Sequence, residues 1–323
     1  MLNELDRRIV GALQVDGRAA WRRIADVLGE SERTVNRRGT QLLESGIVVV
    51  VGWRTPTSAA IVSVRTTPQT VTIAASALAR RHDTTFTYTL TGPVDCVTEI
   101  QTSAEALPRL LFEDLPGMPG MVDMSTSPIS KYYRTGFEWH PDLITATEVV
   151  ELTDFRPPPQ SPDSVPVPLT DDDRSLVRFL ETDGRMTNDQ LARRVGISEP
   201  TARRRIEALR KSGKLTIRAV VEPAQLGLPI EAMFWIKAAP RDVDSIGQLL
   251  LKHSAVRYAA AIMGEYQLVA DVILPSMQDL HDFATRSPAF SAAKAVDTTL
   301  VVTAVKRSGV LATAHRPRQE GPE

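Results

Sequence analysis

The chain has 323 residues, enough at roughly 100–200 residues per domain for two or three folding units with sizeable cores. Apolar residues make up 42% and charged residues 24%, the balance of a globular protein and not of a disordered one. Thirty-eight Lys and Arg stand against thirty-nine Asp and Glu, so a polyanionic partner has to be met by local basic patches, and the single Cys96 excludes an internal disulfide framework or a multi-cysteine metal site.

No run approaches the ~18 apolar residues of a membrane helix, and the opening MLNELDRRIV carries charges where a signal peptide would be apolar. A cytoplasmic protein with no membrane partner is expected.

The chain repeats itself. Shifted by 167 positions, residues 2–48 overlay residues 169–215 without a gap, with eighteen of forty-seven pairs identical. Asp16-Gly17-Arg18 returns as Asp183-Gly184-Arg185, Gly29 as Gly196, Arg37-Arg38 as Arg204-Arg205, and Ser45-Gly46 as Ser212-Gly213. Further on the match is weaker: Gly92 overlays Gly264 at an offset of 172, and Arg134 overlays Arg307 at 173. A repeat of this length is a duplicated domain, not a solenoid unit.

In chain order, residues 1–52 are the first copy of a helical unit, with a helix over 32–45. Residues 57–136 alternate strands and helices: Ile61–Arg65, helix Val71–Arg81, Thr85–Thr91, Asp95–Ile100, helix Ala104–Asp114, and a last strand near Met121–Arg134. Residues 137–168 form a connector. Its end, FRPPPQSPDSVPVP over 155–168, has six prolines that fix φ and remove donors, which predicts an extended spacer.

Residues 169–221 hold the second helical copy. Thr170 can cap a helix carrying Leu176, Val177 and Leu180, and Thr187 can cap a second carrying Leu191, Ala192 and Val195. Gly196 turns the chain, and Ser198 can cap a third helix with Ala202, Ile206 and Leu209 inward. That helix stops at Ser212-Gly213, and Leu215–Val220 alternates like a strand of a small hairpin. The sum is a helix-turn-helix followed by a wing. Residues 229–310 repeat the β-α-β-β-α-β order, through Ala232–Lys237, Val243–His253, Tyr258–Met263, Tyr266–Leu274, Met277–Arg286 and Thr298–Lys306. That order is the ferredoxin-like arrangement. A tail over 311–323 is expected to fray. The fold class is therefore α+β: two winged helix-turn-helix domains and two ferredoxin-like domains in tandem.

The third helix of each copy carries the chemistry. Thr201, Arg203, Arg204 and Arg205 fall on or beside its outward face, where guanidinium groups suit phosphates and the N7/O6 edge of guanine. Arg33, Asn36, Arg37 and Arg38 supply the first copy. There Gly39 stands in place of Ile206, removing a core side chain and weakening the helix by ~1 kcal/mol. The first copy thus reads as a weaker or more selective DNA reader, with a purely structural role as the alternative.

DGR (183–185), LARRVGIS (191–198), RRRIEALRKSGKL (203–215), EPAQLG (222–227) and the turns TGPVDCV (91–97) and MGEYQLV (263–269) together resemble the Lrp/AsnC family of transcription regulators. The resemblance implies double-stranded DNA as partner and a covalent pseudo-dimer that assembles further into a homo-oligomer. It also implies an amino-acid-like effector near the turn between the two middle strands. Carried over, the effector positions are Gly92 and Asp95 in the first half and Gly264 and Tyr266 in the second. Both turns depart from the family's pattern, Val94 replacing its aromatic and Gln267 its acid.

Enzyme signatures are thin. The sequence has no Gly-rich phosphate loop, no G-x-S-x-G and no H-E-x-x-H, and His82, His140, His253, His281 and His315 are scattered. No catalytic residue, metal or cofactor is expected. Two alternatives stand beside the effector-modulated regulator: an architectural DNA binder blind to effectors, and an enzyme like the siroheme decarboxylases, which share the two-domain layout.

Overall fold

Polar caps start most of the helices that the periodicity predicts. Asn3 accepts the Asp6 N–H ahead of α1 (Glu4–Val15), and α2 (Trp21–Leu28) leads through Gly29 to α3 (Glu32–Glu44), which Ser31 caps. Then come β1 (Val48–Arg54), β2 (Ala59–Thr66), α4 (Val71–Arg80), β3 (Thr84–Leu90) and β4 (Cys96–Gln101). A short α5 (Leu107–Arg109) runs into a π turn over Leu110–Asp114, followed by β5 (Met121–Arg134) and α6 (Ala146–Leu152). The second half holds α7 (Asp171–Thr182), α8 (Asn188–Val195), α9 (Glu199–Lys211), β6 (Leu215–Val221), β7 (Ile230–Lys237) and α10 (Val243–Leu250). It ends with β8 (Val256–Ile262), β9 (Leu268–Leu274), α11 (Met277–Arg286), β10 (Ala295–Arg307) and β11 (Val310–Leu311).

This computed structural model describes residues 2–54, 58–103, 105–153 and 169–312; the expected proline spacer and nearly all of the expected frayed tail lie outside them. The chain divides into two units, one built from residues 3–54, 142–153 and 169–221, the other from residues 58–141 and 222–312.

The first unit holds both helix-turn-helix copies. Gly29 at φ +69° and Gly196 at φ +81° make the left-handed turns between second and third helices, where an L side chain would be strained. Ile9, Leu13, Ile24 and Val35 bury the core of the first copy, and Leu176, Leu180, Leu191 and Ile206 that of the second. The expected hairpin wing is not formed. β1 and β6 instead pair with each other, antiparallel, from Val48↔Val221 to Arg54↔Leu215. Alternation identified the strand over Leu215–Val220 but could not name its partner. Val51 and Arg218 are counterparts in the repeat and also face each other in this ladder. A pseudo-two-fold axis therefore passes through that pair and relates the two copies.

Part of the connector is helical. Thr145 and Glu148 form a reciprocal capping box, and α6 is tied to the first copy by Arg8 Nη2 donating to Glu148 at 2.7 Å.

In the second unit each half runs β-α-β-β-α-β, but the halves share strands. The order is β11-β10-β3-β4-β2-β5-β8-β9-β7, and β10 closes back onto β7. β5 pairs through Met121–Pro128 with β2 and through Ile129–Arg134 with β8. β10 does the same in mirror role, through Ala295–Leu300 with β7 and Val301–Lys306 with β3. The tandem ferredoxin-like repeats are thus one shared sheet and not two separate ones. Phe86, Tyr88, Val97, Met233, Trp235, Tyr258 and Val269, drawn from both halves, form a joint apolar cluster.

Candidate nucleic-acid interface and effector turns

The recognition helices α3 and α9 are built alike. Ser31 accepts the Thr34 N–H and Ser198 the Thr201 N–H, satisfying the same first-turn donor in each. Val35 and Leu42 in α3, and Ala202, Ile206 and Leu209 in α9, face the core. Arg33, Asn36 and Arg37 are exposed on α3, as are Arg203 and Arg204 on α9, while Thr201 is half-buried beside its cap. Among the described residues Arg33, Arg37 and Arg204 have no ion pair, and Arg203 has only Glu199 at 3.8 Å, one turn back.

The second member of each arginine pair is placed differently. Arg38 Nη1 donates to Asp6 at 2.9 Å and Arg205 Nη1 to Asp173 at 3.1 Å, with Asp172 at 3.2 Å from Nη2. Both side chains reach back to the first helix of their own copy and lock the recognition helix against it. Burial alone would raise the Asp173 pKa, but the Thr170 hydroxyl, its N–H and the Arg205 guanidinium hold it below the usual carboxylate value. Arg38 and Arg205 are half-buried clamps, and the freely presented guanidinium of each pair is Arg37 or Arg204.

Gly39 has a packing reason. A Cβ there would overlap the six-membered ring of Trp21, so the glycine seats that ring against α3. The Arg185 guanidinium from the other copy lies 4.4 Å from the ring centroid on Trp21. Asn188 is the counterpart of Trp21, and Ile206 that of Gly39: large and small exchange places between the copies. The missing core side chain is replaced from the neighbouring helix.

Sequence reasoning missed the role of the two Asp-Gly-Arg motifs, which it used as marks of the repeat and of the resemblance. They meet across the pseudo-two-fold axis. Arg18 Nη1 donates to the Gly184 and Met186 carbonyls at 3.0 and 2.7 Å, and Arg185 Nη1 to the Gly17 carbonyl at 2.7 Å. Gly17 N–H bonds Ile217 O and Gly184 N–H bonds Val50 O, so each motif also holds the other copy's strand. A Cβ on Gly17 would stand 2.8 Å from Arg218 Cα, which explains the glycine. Burial and the nearby Arg210 and Arg185 charges draw the Arg18 pKa below its ordinary value. A motif returning at 167 positions, with charge and glycine both kept, was the available signal.

The two effector turns also obey the pseudo-symmetry. Thr91 N–H donates to Leu300 O at 3.0 Å and Met263 N–H to Pro128 O at 2.9 Å, so each turn lies on the mid-point of the other half's long strand. A Cβ on Gly92 would meet Thr299, and one on Gly264 would meet Ser127, again counterparts. Asp95 accepts the Thr66 N–H at 2.8 Å, and Gln267 accepts the Ala238 N–H at 3.0 Å. Acid and amide thus do the same backbone work in the two halves. Tyr266 donates to Asp297 at 2.6 Å, and this bond, with burial, pushes its hydroxyl pKa up to about 12.

The interior of this unit carries charge. Arg257 donates to Tyr88 Oη at 2.6 Å, to Asp271 at 3.0 Å and to Ser308 at 2.7 Å. Arg307 holds Glu231 through both guanidinium arms, one at 2.7 Å. Tyr258 donates to Glu99 at 2.6 Å; Glu99 and Asp271 are counterparts in the repeat, each bonded to a tyrosine of the opposite half.

Residues 2–43 and 169–210 each match the AsnC-type helix-turn-helix domain, and residues 231–311 match the Lrp/AsnC ligand binding domain. An HTH-type transcriptional regulator of Pyrococcus horikoshii is 29% identical over 150 residues, spanning 46% of this chain and 94% of that protein. The leucine-responsive regulatory protein of Rhizobium meliloti is 26% identical over 139 residues, spanning 42% of this chain and 88% of that protein. Among solved structures, the siroheme decarboxylase NirDL aligns over 94% of this chain and 93% of its own at a TM-score of 0.60 and 15% identity, a likeness of fold.

Proposed function

The chain belongs to the Lrp/AsnC family, and from that membership we propose a DNA-binding transcription regulator whose α3 and α9 enter successive major-groove segments of one duplex. The observation that carries the reading is the pseudo-two-fold pairing of β1 with β6, which sets two capped recognition helices in the relation that a homodimer's would have. Arg33, Asn36, Arg37, Thr201, Arg203 and Arg204 contact bases and phosphates, and Arg38 and Arg205 position the helices. Two helix-turn-helix copies and two strand-sharing ferredoxin-like repeats make the single chain a pseudo-dimer, which assembles further with copies of itself in the cytoplasm.

An amino-acid-like metabolite at the turns around Gly92 and Gly264 modulates binding. Each turn rests on a strand of the opposite half, so a ligand there acts on the contact between halves. Asp95 already serves a backbone N–H, and the glycine amides are the donors offered to a carboxylate.

The chain acts without catalysis in this reading. The buried arginines, Arg257 and Arg307, are paired with the unit's own carboxylates, Asp271 and Glu231.

The test is fluorescence anisotropy against the DNA upstream of its own reading frame, with a scrambled duplex and a salt titration. Expected is a preference for the upstream duplex and a log–log salt slope of about −0.9 per phosphate contact. No binding at low salt would refute the regulator, and a spectral shift with added iron tetrapyrrole would then favour the enzyme.

A further inference from the structure

We propose that the operator is an inverted repeat whose dyad is broken where Asn36 and Arg203 dock, with an A·T pair under Asn36 and a G·C pair under Arg203. The inference rests on the DNA-binding reading above and asks what base each helix prefers.

The two recognition helices are presented in the same way. Their N-caps are both serines bonded to the same first-turn N–H, and their clamps are both arginines bonded to the same first-helix aspartate. The axis through Val51 and Arg218 relates one copy to the other. Differences in base preference therefore come from the exposed side chains and not from docking angle.

Those side chains differ. Position by position, Arg33 answers Pro200, Asn36 answers Arg203 and Thr40 answers Glu207, whereas Arg37 and Arg204 agree. Asn36 and Arg203 are each the fifth residue of their helix, within the first two turns that reach base edges. Both are exposed, and among the described residues each has only a polar neighbour one turn away: Thr40 donates to Asn36 at 3.2 Å, and Glu199 lies 3.8 Å from Arg203. Both are therefore available. An asparagine amide matches adenine N6/N7 and a guanidinium matches guanine O6/N7, so one geometry yields two different bases. The shared Arg37 and Arg204 read guanine in both halves. A homodimer cannot break the dyad this way, because each substitution appears twice. A fused chain can, and it then sits on its operator in one orientation.

Selection of the full-length protein on a duplex library with a randomised core reads the site directly. Expected is an inverted repeat whose halves share the guanine under Arg37 and Arg204 and differ at the adjoining pair. Asn36→Arg should move one half from A·T to G·C, and Arg203→Asn should move the other half the opposite way, each by about tenfold in relative preference. Either variant makes the selected site more palindromic, a change that a merely structural role would not produce.

A perfect palindrome from the unaltered protein would overturn the inference and leave the DNA reading standing. So would variants that lower affinity for every sequence equally. Recovery of no sequence at all would overturn the DNA reading, and the broken dyad with it. Both side chains are exposed, so thermal melts of the variants should match the parent.

Discussion

Gly39 gives the sharpest test of how the two copies are packed. Glycine to alanine inside a helix ordinarily stabilises by about 1 kcal/mol. Here the new Cβ would overlap the Trp21 ring, over which the Arg185 guanidinium lies at 4.4 Å. Overpacking of this kind costs about 1–3 kcal/mol against that gain, so Gly39→Ala should lower stability by up to about 2 kcal/mol net. In a Trp21→Asn background the ring is gone and the ordinary propensity gain should return, so the same substitution should stabilise by about 1 kcal/mol. The sign of one substitution thus depends on the residue at position 21. Trp21→Asn with Gly39→Ile goes further and rebuilds the pairing of Asn188 with Ile206 from the second copy. Urea melts of the parent, both single variants and the double variant give the coupling energy directly. Effects of Gly39→Ala that stabilise in both backgrounds, or that simply add, would refute the packing account.

The clamp and the reader should separate: Arg204→Ala should weaken DNA binding by about 1–3 kcal/mol in anisotropy with an unchanged melt, whereas Arg205→Ala should lower stability by up to about 1 kcal/mol, since the pair is partly solvated. Asp173 is held below the usual carboxylate value, so its contribution is present above that range and lost as pH falls through the depressed value. Melts from pH 7 to 3 should accordingly be flatter on the acid side for Arg205→Ala. Gly17→Ala should cost about 1–3 kcal/mol, because the Cβ meets Arg218 backbone that the β1–β6 ladder fixes; a neutral result in urea melts would show that the junction yields. Glu231→Ala should cost about 3–5 kcal/mol by leaving Arg307 buried beside only the 3.4 Å contact to Glu222. Asp95→Ala should cost about 1–3 kcal/mol by orphaning the Thr66 N–H, while Asp95→Asn keeps the acceptor and the stability.

Local rules act within a few residues, and the sequence was legible at that range. Thr170, Thr187 and Ser198 cap the helices expected of them, and Gly196 turns where a left-handed residue was required. Met121–Arg134 is a strand, where the repeated β-α-β-β-α-β order places one. The capping box at Thr145 and Glu148 was equally local, yet the two helical turns behind it were read only as part of the connector. Partners were not legible. β6 alternates identically whether its ladder closes on a hairpin or on the other copy, and β10 gives no sign that its pairing changes from β7 to β3 at Leu300 and Val301. Strand pairing across more than a hundred residues is decided by packing of whole copies, which no window of sequence contains.

The site shows the same boundary from the other side. The sequence alone gives adjacent arginines the same chemistry, yet among the described residues Arg204 has no ion pair and Arg205 is bound, because an aspartate thirty-odd residues away reaches it. What the repeat did contain, and what a single copy could not, is the comparison between positions. Both copies keep Asp16-Gly17-Arg18 and Asp183-Gly184-Arg185, and the structure uses these residues at the axis, where each copy must meet its own image. Where they differ, the difference is either compensated inside, as Trp21 compensates Gly39, or left on the surface uncompensated, as at Asn36 and Arg203. Compensated differences preserve a shape and predict coupling energies. Uncompensated differences on a face otherwise built to match preserve nothing structural, so their consequence has to be sought in what that face touches.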